Sequence, residues 1–120
     1  MSDIQDIQDV EMLVDTFYQK VFNHDALSPF FKHLDYPIHR VKMIQFWSFV
    51  LLDQPGYTTQ VYDKHAHMRF NPILFDTWAQ LFCETVQSLF QGEKADLAQS
   101  RAKMLAWTFA EKFKNRDHAQ

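Results

Sequence analysis

The sequence predicts an all-α domain, on three observations. Glycine occurs only twice and proline four times in 120 residues, which leaves few turns and asks for helices joined by short links. Apolar residues recur at three- and four-residue steps over long stretches, the period of a helix with one buried face. No stretch alternates apolar and polar residues as a half-buried strand does, and there is no internal repeat or low-complexity segment. The length suits a single domain over residues 1–120, with a core from about 4 to 114 and a polar tail at 115–120.

Residues 4–22 form the first expected helix, since Ile7, Val10, Leu13 or Val14, Phe17 and Val21 share a stripe. Tyr18 lies one turn beyond Val14, beside that stripe, where it can be half buried with its hydroxyl in need of a partner. Asn23 to Leu27 is turn-like. Ser28-Pro29 then has the form of an N-cap followed by proline at the first helical position, opening about one turn with Phe30 and Phe31. Pro37 opens the next helix, in which His39, Met43, Phe46 or Trp47 and Val50 fall on one face. His39 thus continues an apolar stripe. Asp53 to Gly56 ends that helix, with Pro55-Gly56 as the turn. A two-turn helix is expected near 60–68. Asn71-Pro72 repeats the cap-plus-proline pattern and opens a helix over 72–90 with Trp78, Leu81, Phe82, Thr85 and Leu89 on one side. Gln91-Gly92 stops it. The last helix, 93–114, carries Ala98, Ala102, Leu105, Phe109 and Phe113 at helical spacing.

Composition narrows the function. The net charge is −3, which offers no footprint for nucleic acid. No apolar run approaches the roughly 20 residues of a membrane span. The acidic, polar start at Met1 to Gln8 does not read as a signal peptide, and the single Cys83 fits a reducing cytoplasm. Charges are spread along the chain and no exposed apolar helix face stands out, so a monomer is expected. Aromatics reach 16%, with 12 Phe, either as an aromatic-rich core or as the lining of a pocket for a flat ligand. Paired Glu-x-x-His motifs, zinc-type Cys or His spacing, a phosphate loop and a nucleophile elbow are all missing. Cys83 sits inside a helix beside Phe82, and packing is its expected role.

The stretch from Val61 to Trp78 holds His65 and His67. Two residues apart on a helix means roughly 200° apart around it, so both cannot face the core. Val61, His65 and Met68 share an apolar stripe, while Asp63 and Lys64 lie nearer His67; His65 is the inward one. A lone inward histidine is more often a hydrogen-bonded core residue than a ligand. Here Tyr18, His39 and Trp78 also place a polar tip on an apolar face, from three further helical segments. Four such tips in a small core point to a shared site.

With these residues in place, the chain resembles the truncated haemoglobins, and most of all their third group. The resemblance spans about residues 10–113. It is carried by F-Y-Q-K-V-F-N-H-D-A-L-S-P-F-F (17–31), H-R-V-K-M-I-Q-F-W (39–47), K-H-A (64–66), F-D-T-W-A-Q-L-F (75–82) and F-Q-G-E-K-A-D-L-A-Q-S-R-A (90–102). The paired glycines of the first two groups are absent, which favours the third. The resemblance implies a helical sandwich of antiparallel helix pairs around a haem. His65 matches the proximal histidine that binds haem iron, and its thirteen-residue step to Trp78 agrees with the family's spacing. Tyr18 and His39 match distal residues, and Trp78 joins them; their implied role is ligand-stabilising or gating, with Tyr18 and Trp78 as donors and His39 either donating or swinging to admit ligand. Phe31, Met43, Phe46, Trp47, Phe70, Phe75 and Phe82 match the pocket lining, and Lys64 is placed to reach a propionate.

The cofactor implied is haem b, since no Cys-x-x-Cys-His attachment motif exists. The ligands implied are O₂, NO, CO or peroxide, for tight O₂ binding or redox chemistry of the NO dioxygenase or peroxidase kind, with a reductase as partner. A non-catalytic gas sensor or haem-handling module is the alternative. A haem-free helical interaction domain is a third.

Overall fold

The computed structural model describes residues 1–55 and 72–118, without the side chains of Pro72 and of residues 113–118. The helices among them are α1 (Ile7–Phe22), α2 (Ser28–Phe31), α3 (Tyr36–Leu52), α4 (Pro72–Leu89) and α5 (Glu93–His118). The expected helix at 60–68, the Asn71-Pro72 bend, and the site residues Lys64, His65 and Phe70 lie outside the described residues, as does His67.

Helix α1 begins at Ile7, three residues later than the expected start at residue 4. The Asp6 carboxylate caps the Asp9 N–H at 3.0 Å, and the Asp9 side chain reaches back to the Gln5 N–H at 2.9 Å. Two N-terminal amides are satisfied there, so the helix starts after Asp6. Ile4 is nonetheless buried, as part of an extended arm and not of the helix. That arm runs back to the far end of the chain. The Ser2 carbonyl accepts the Gln91 N–H at 3.0 Å, and the Asp3 carboxylate accepts from the Lys94 and Ala95 N–H groups, each at 2.9 Å. Gly92 accepts the first intrahelical bond of α5 from Asp96, but has no side chain with which to cap that helix. Asp3 supplies the missing cap from about ninety positions away.

Ser28 does not cap α2. The residue at the cap position is Leu27, with no side-chain hydrogen bond, and Ser28 is already helical with Pro29 behind it. Helix α3 starts one residue before Pro37, with Asp35 as its cap. It ends at Asp53, whose left-handed φ of 56° turns the chain while the Asp53 and Gln54 N–H groups point to the Ser48 carbonyl. Helix α5 continues to His118, beyond the expected end at 114.

Phe75 meets Phe109, and Cys83 meets Gln99, so α4 and α5 pack antiparallel. Helix α1 crosses onto α3 through Tyr18–His39 and onto α4 through Phe17–Phe82. Small residues (Ala95, Ala98, Ala102 and Ala106) line the buried face of α5 and let it approach its neighbours closely. The Cys83 thiol is buried and directed at the Gln99 carbonyl, and burial pushes its pKa up, which suits a packing residue.

The helix faces are less evenly polar than the sequence suggests. Ile38, Val41 and Phe49 are exposed along α3, and Leu97, Met104 and Trp107 along α5. The expectation of no exposed apolar helix face is therefore corrected. These residues lie off the inward stripes, and a reading that follows each helix for its core-facing period passes over them.

Candidate functional site

The site is built where α1, α2, α3 and α4 meet. Tyr18 lies one turn after Val14 on the inward side of α1, and the fold closes over it completely. It is only 4% exposed, where the sequence suggested a half-buried ring. Its hydroxyl lies 2.8 Å from Nε2 of His39, in the first turns of α3, and the two rings meet edge to face. Burial, with a smaller electrostatic contribution from Tyr36, pushes the Tyr18 phenol far above its usual range. It therefore stays protonated and remains a hydrogen-bond donor at all ordinary pH values.

Around this polar pair stands an aromatic wall. Phe17, Phe31 and Tyr36 approach the Tyr18 ring at centroid distances of 5.0, 6.2 and 5.6 Å. Further in, Trp47 of α3 stacks on Phe82 of α4 at 4.7 Å, and Trp78 lies nearly parallel to Phe82 at 5.9 Å. Phe17 meets the edges of both Trp78 and Phe82. Such offset and edge contacts suit ring quadrupoles and hold the planes in definite orientations.

Met43 is buried one turn beyond His39, and Phe46 packs on Trp47. Phe31, Phe46, Trp47 and Phe82 are all buried in this core, and Trp78 packs partly buried against it. Phe75 of α4 is buried and meets Phe109 of α5 edge to face. Tyr18, His39 and Trp78 thus converge from three helices, with Phe17 bridging the Tyr18 and Trp78 rings.

One group beside this core was not singled out from the sequence. Asp15 of α1 accepts the Tyr36 hydroxyl at 2.7 Å, Arg40 Nε at 2.7 Å and Arg40 Nη2 at 3.0 Å. Glu11, one turn earlier, lies 3.6 Å from the same guanidinium. Arg40 and Tyr36 hold the Asp15 carboxyl below the usual carboxylate range, with burial opposing them. Tyr36 is pushed up, first by burial and then by its bond to Asp15. Acid and base here are 25 positions apart in sequence, so the only available signal was the four-residue spacing of Tyr36 and Arg40 on one helix face.

Helices packed in this way around a buried tyrosine bonded to a half-buried histidine, beside a wall of flat side chains, define a globin-like domain. No family model matches the chain. A curated relative, the group 3 truncated hemoglobin ctb of Campylobacter jejuni, is 28% identical over 109 residues, covering 85% of this chain and 86% of that protein. The crystal structure of group III truncated hemoglobin from Campylobacter jejuni superimposes with a TM-score of 0.83 at 27% identity, over 93% of this chain and 94% of that one. The chain has the truncated-globin fold, and its likeness in both sequence and structure is to group III truncated hemoglobins. That family implies a haem cofactor and small gaseous ligands.

Proposed function

We propose that the chain holds haem b, with His65 as the iron ligand, and binds O₂ and related small ligands for tight binding or for redox chemistry on O₂, NO or peroxide. One observation carries this reading. Buried Tyr18 and half-buried His39 form a polar pair 2.8 Å apart against an aromatic wall. Buried polar tips cost free energy unless they are partnered, and here each partners the other while Tyr18 keeps a second hydrogen-bonding direction. The donor set fits the ligand side of a haem pocket: a neutral phenol, an imidazole and an indole N–H, against stacked flat side chains.

Haem, when bound, supplies an iron that takes a diatomic ligand and exchanges electrons with it. The chain's residues do the rest. The Tyr18 hydroxyl donates to partial negative charge on the ligand, and exclusion of water makes that donation stronger than it is in solvent. The His39 tautomer decides whether the donation is available. If Nε2 carries the proton, it donates to the Tyr18 oxygen and leaves the phenolic hydrogen for a ligand. If Nε2 is bare, it takes that hydrogen itself. The Trp78 indole is a second donor, and the aromatic wall excludes water. A reductase would return electrons in any cycle of turnover.

The test is a visible absorption spectrum of the protein titrated with haem. A sharp Soret band at one equivalent is expected, together with its loss or broadening in His65→Ala. A protein that stays colourless would leave the helical interaction domain as the reading. Full haem uptake by His65→Ala would remove the ligand assignment.

A further inference from the structure

We infer that Asp15 is a positioning residue for the ligand gate, holding the first turns of α3 so that His39 stays closed against Tyr18. This rests on the haem-globin reading for its function, though not for its geometry. Tyr36 and Arg40 are four residues apart and therefore share a face of α3, and His39 stands immediately before Arg40. Both side chains converge on one carboxylate. Oδ1 of Asp15 accepts the Tyr36 hydroxyl and Arg40 Nε, and Oδ2 accepts Arg40 Nη2, a fork that fixes orientation as well as distance. On the α1 side, Asp15 and Tyr18 are one turn apart. The two helices are thus joined by two adjacent links: the charged one at Asp15 and the one between buried Tyr18 and half-buried His39.

The charged link lies outside the Tyr18–His39 one. The Arg40 and Asp15 side chains are 33% and 43% exposed, while Tyr18 is closed off. The Tyr36 ring joins them, packing on Tyr18 and on Phe22 at 5.6 Å each. The link from α2 to α3 is only four residues, Lys32 to Asp35, so the start of α3 depends on what grips it from the side. If the Asp15 grip is released, the turn carrying His39 can move outward, the Tyr18–His39 bond opens, and the route past His39 to solvent widens. Arg40 and Tyr36 hold the Asp15 carboxyl below its ordinary range, which extends the charged grip further into acid. Glu11, near the same guanidinium, is the acid that competes for it when Asp15 is lost.

The experiment is a double-mutant cycle of Asp15→Asn and His39→Ala, read by CO rebinding after flash photolysis and by NMR of ¹⁵N-labelled histidine rings. The His39 signals are assigned by their absence in His39→Ala. Asp15→Asn should speed CO association by at least about twofold, the lower end of coupling within one hydrogen-bond network. It should shift the His39 ring signals and add nothing in the His39→Ala background. Tyr36→Phe keeps the ring packing and removes one bond to Asp15, so it should move both readouts the same way by less. An unchanged rate in Asp15→Asn, or an effect that persists in full without His39, overturns the inference. If the protein takes up no haem, the proposed function falls and the ring signals decide alone. Unmoved His39 resonances in Asp15→Asn then refute the positioning role.

Discussion

Replacing Gly92 by Ala should destabilise the protein severely, although the residue lies on the surface side of a turn and touches no part of the proposed pocket. Gly92 has φ +146°, a conformation that L side chains rarely adopt. Strain of this kind costs about 1–3 kcal/mol. A Cβ built there would lie 2.5 Å from Asp3 Cγ and 2.7 Å from Asp3 Cβ and Oδ2. The contact is with the root of the Asp3 side chain as well as its tip, so the arm itself must move. Moving it breaks the bonds from Lys94 and Ala95, the cap of the longest helix among the described residues. Loss of a cap costs about 0.5–2 kcal/mol. The sum, roughly 1.5–5 kcal/mol, is a large share of the ~5–15 kcal/mol that holds a domain of ordinary stability. Urea unfolding followed by circular dichroism measures it, and thermal melting should fall by roughly 10 °C. The interlock with Asp3 has its own check. In an Asp3→Gly background the added methyl no longer meets the Asp3 side chain, so Gly92→Ala should cost less there than in the wild type. A loss under about 0.5 kcal/mol in Gly92→Ala, or equal losses in the two backgrounds, would refute the reasoning.

Other perturbations separate packing from polarity. Phe82→Ala removes a ring only 1% exposed that stacks under Trp47 and Trp78, and should cost about 3–5 kcal/mol by denaturant titration. Ser48→Ala should be neutral or stabilising by up to about 1 kcal/mol, because Ser48 Oγ is buried with no hydrogen-bond partner among the described residues; a clear loss would show that the hydroxyl has one. Tyr18→Phe should speed O₂ release from the haem-loaded protein by roughly tenfold or more, since a bond to a charged acceptor contributes about 1.5–3 kcal/mol, and an unchanged stopped-flow rate would remove Tyr18 from that role. Acid should destabilise through two carboxylates. Burial raises Asp3, but the N–H groups of Lys94, Ala95 and Ile4 and the Lys94 charge outweigh it, and Asp15 is lowered by Arg40 and Tyr36 against burial. Both folded values lie below the ordinary 3.8, so their contribution is complete above that pH and is lost as pH falls through the depressed values. Stability measured against pH in Asp3→Asn/Asp15→Asn should be flatter on the acid side than in the wild type.

The sequence by itself determined the helical class, the order of the helices and most inward faces. The reason is that helical periodicity is local: Val10, Leu13, Val14, Phe17 and Val21 of α1 are all buried, and each is within four residues of the next. It also singled out Tyr18, His39 and Trp78, because a polar tip on an apolar stripe is visible without any partner. It could not say that Tyr18 and His39 bond to each other, since 21 positions separate them and only the crossing of α1 on α3 brings them together. The Asp15 grip on Tyr36 and Arg40 was hidden for the same reason: an acid and a base on separate helices look like two solvated charges until the helices pack. At the chain's start the local signal pointed the wrong way. Ile4 falls within the expected helix, yet it is buried as part of an extended arm, because Asp6 caps the helix after it and Asp3 is engaged about ninety residues away at the start of α5. Which residues face inward is settled by neighbours three and four positions along. Which of them meet, and which amide groups a distant carboxylate satisfies, is settled only when the helices are laid against one another.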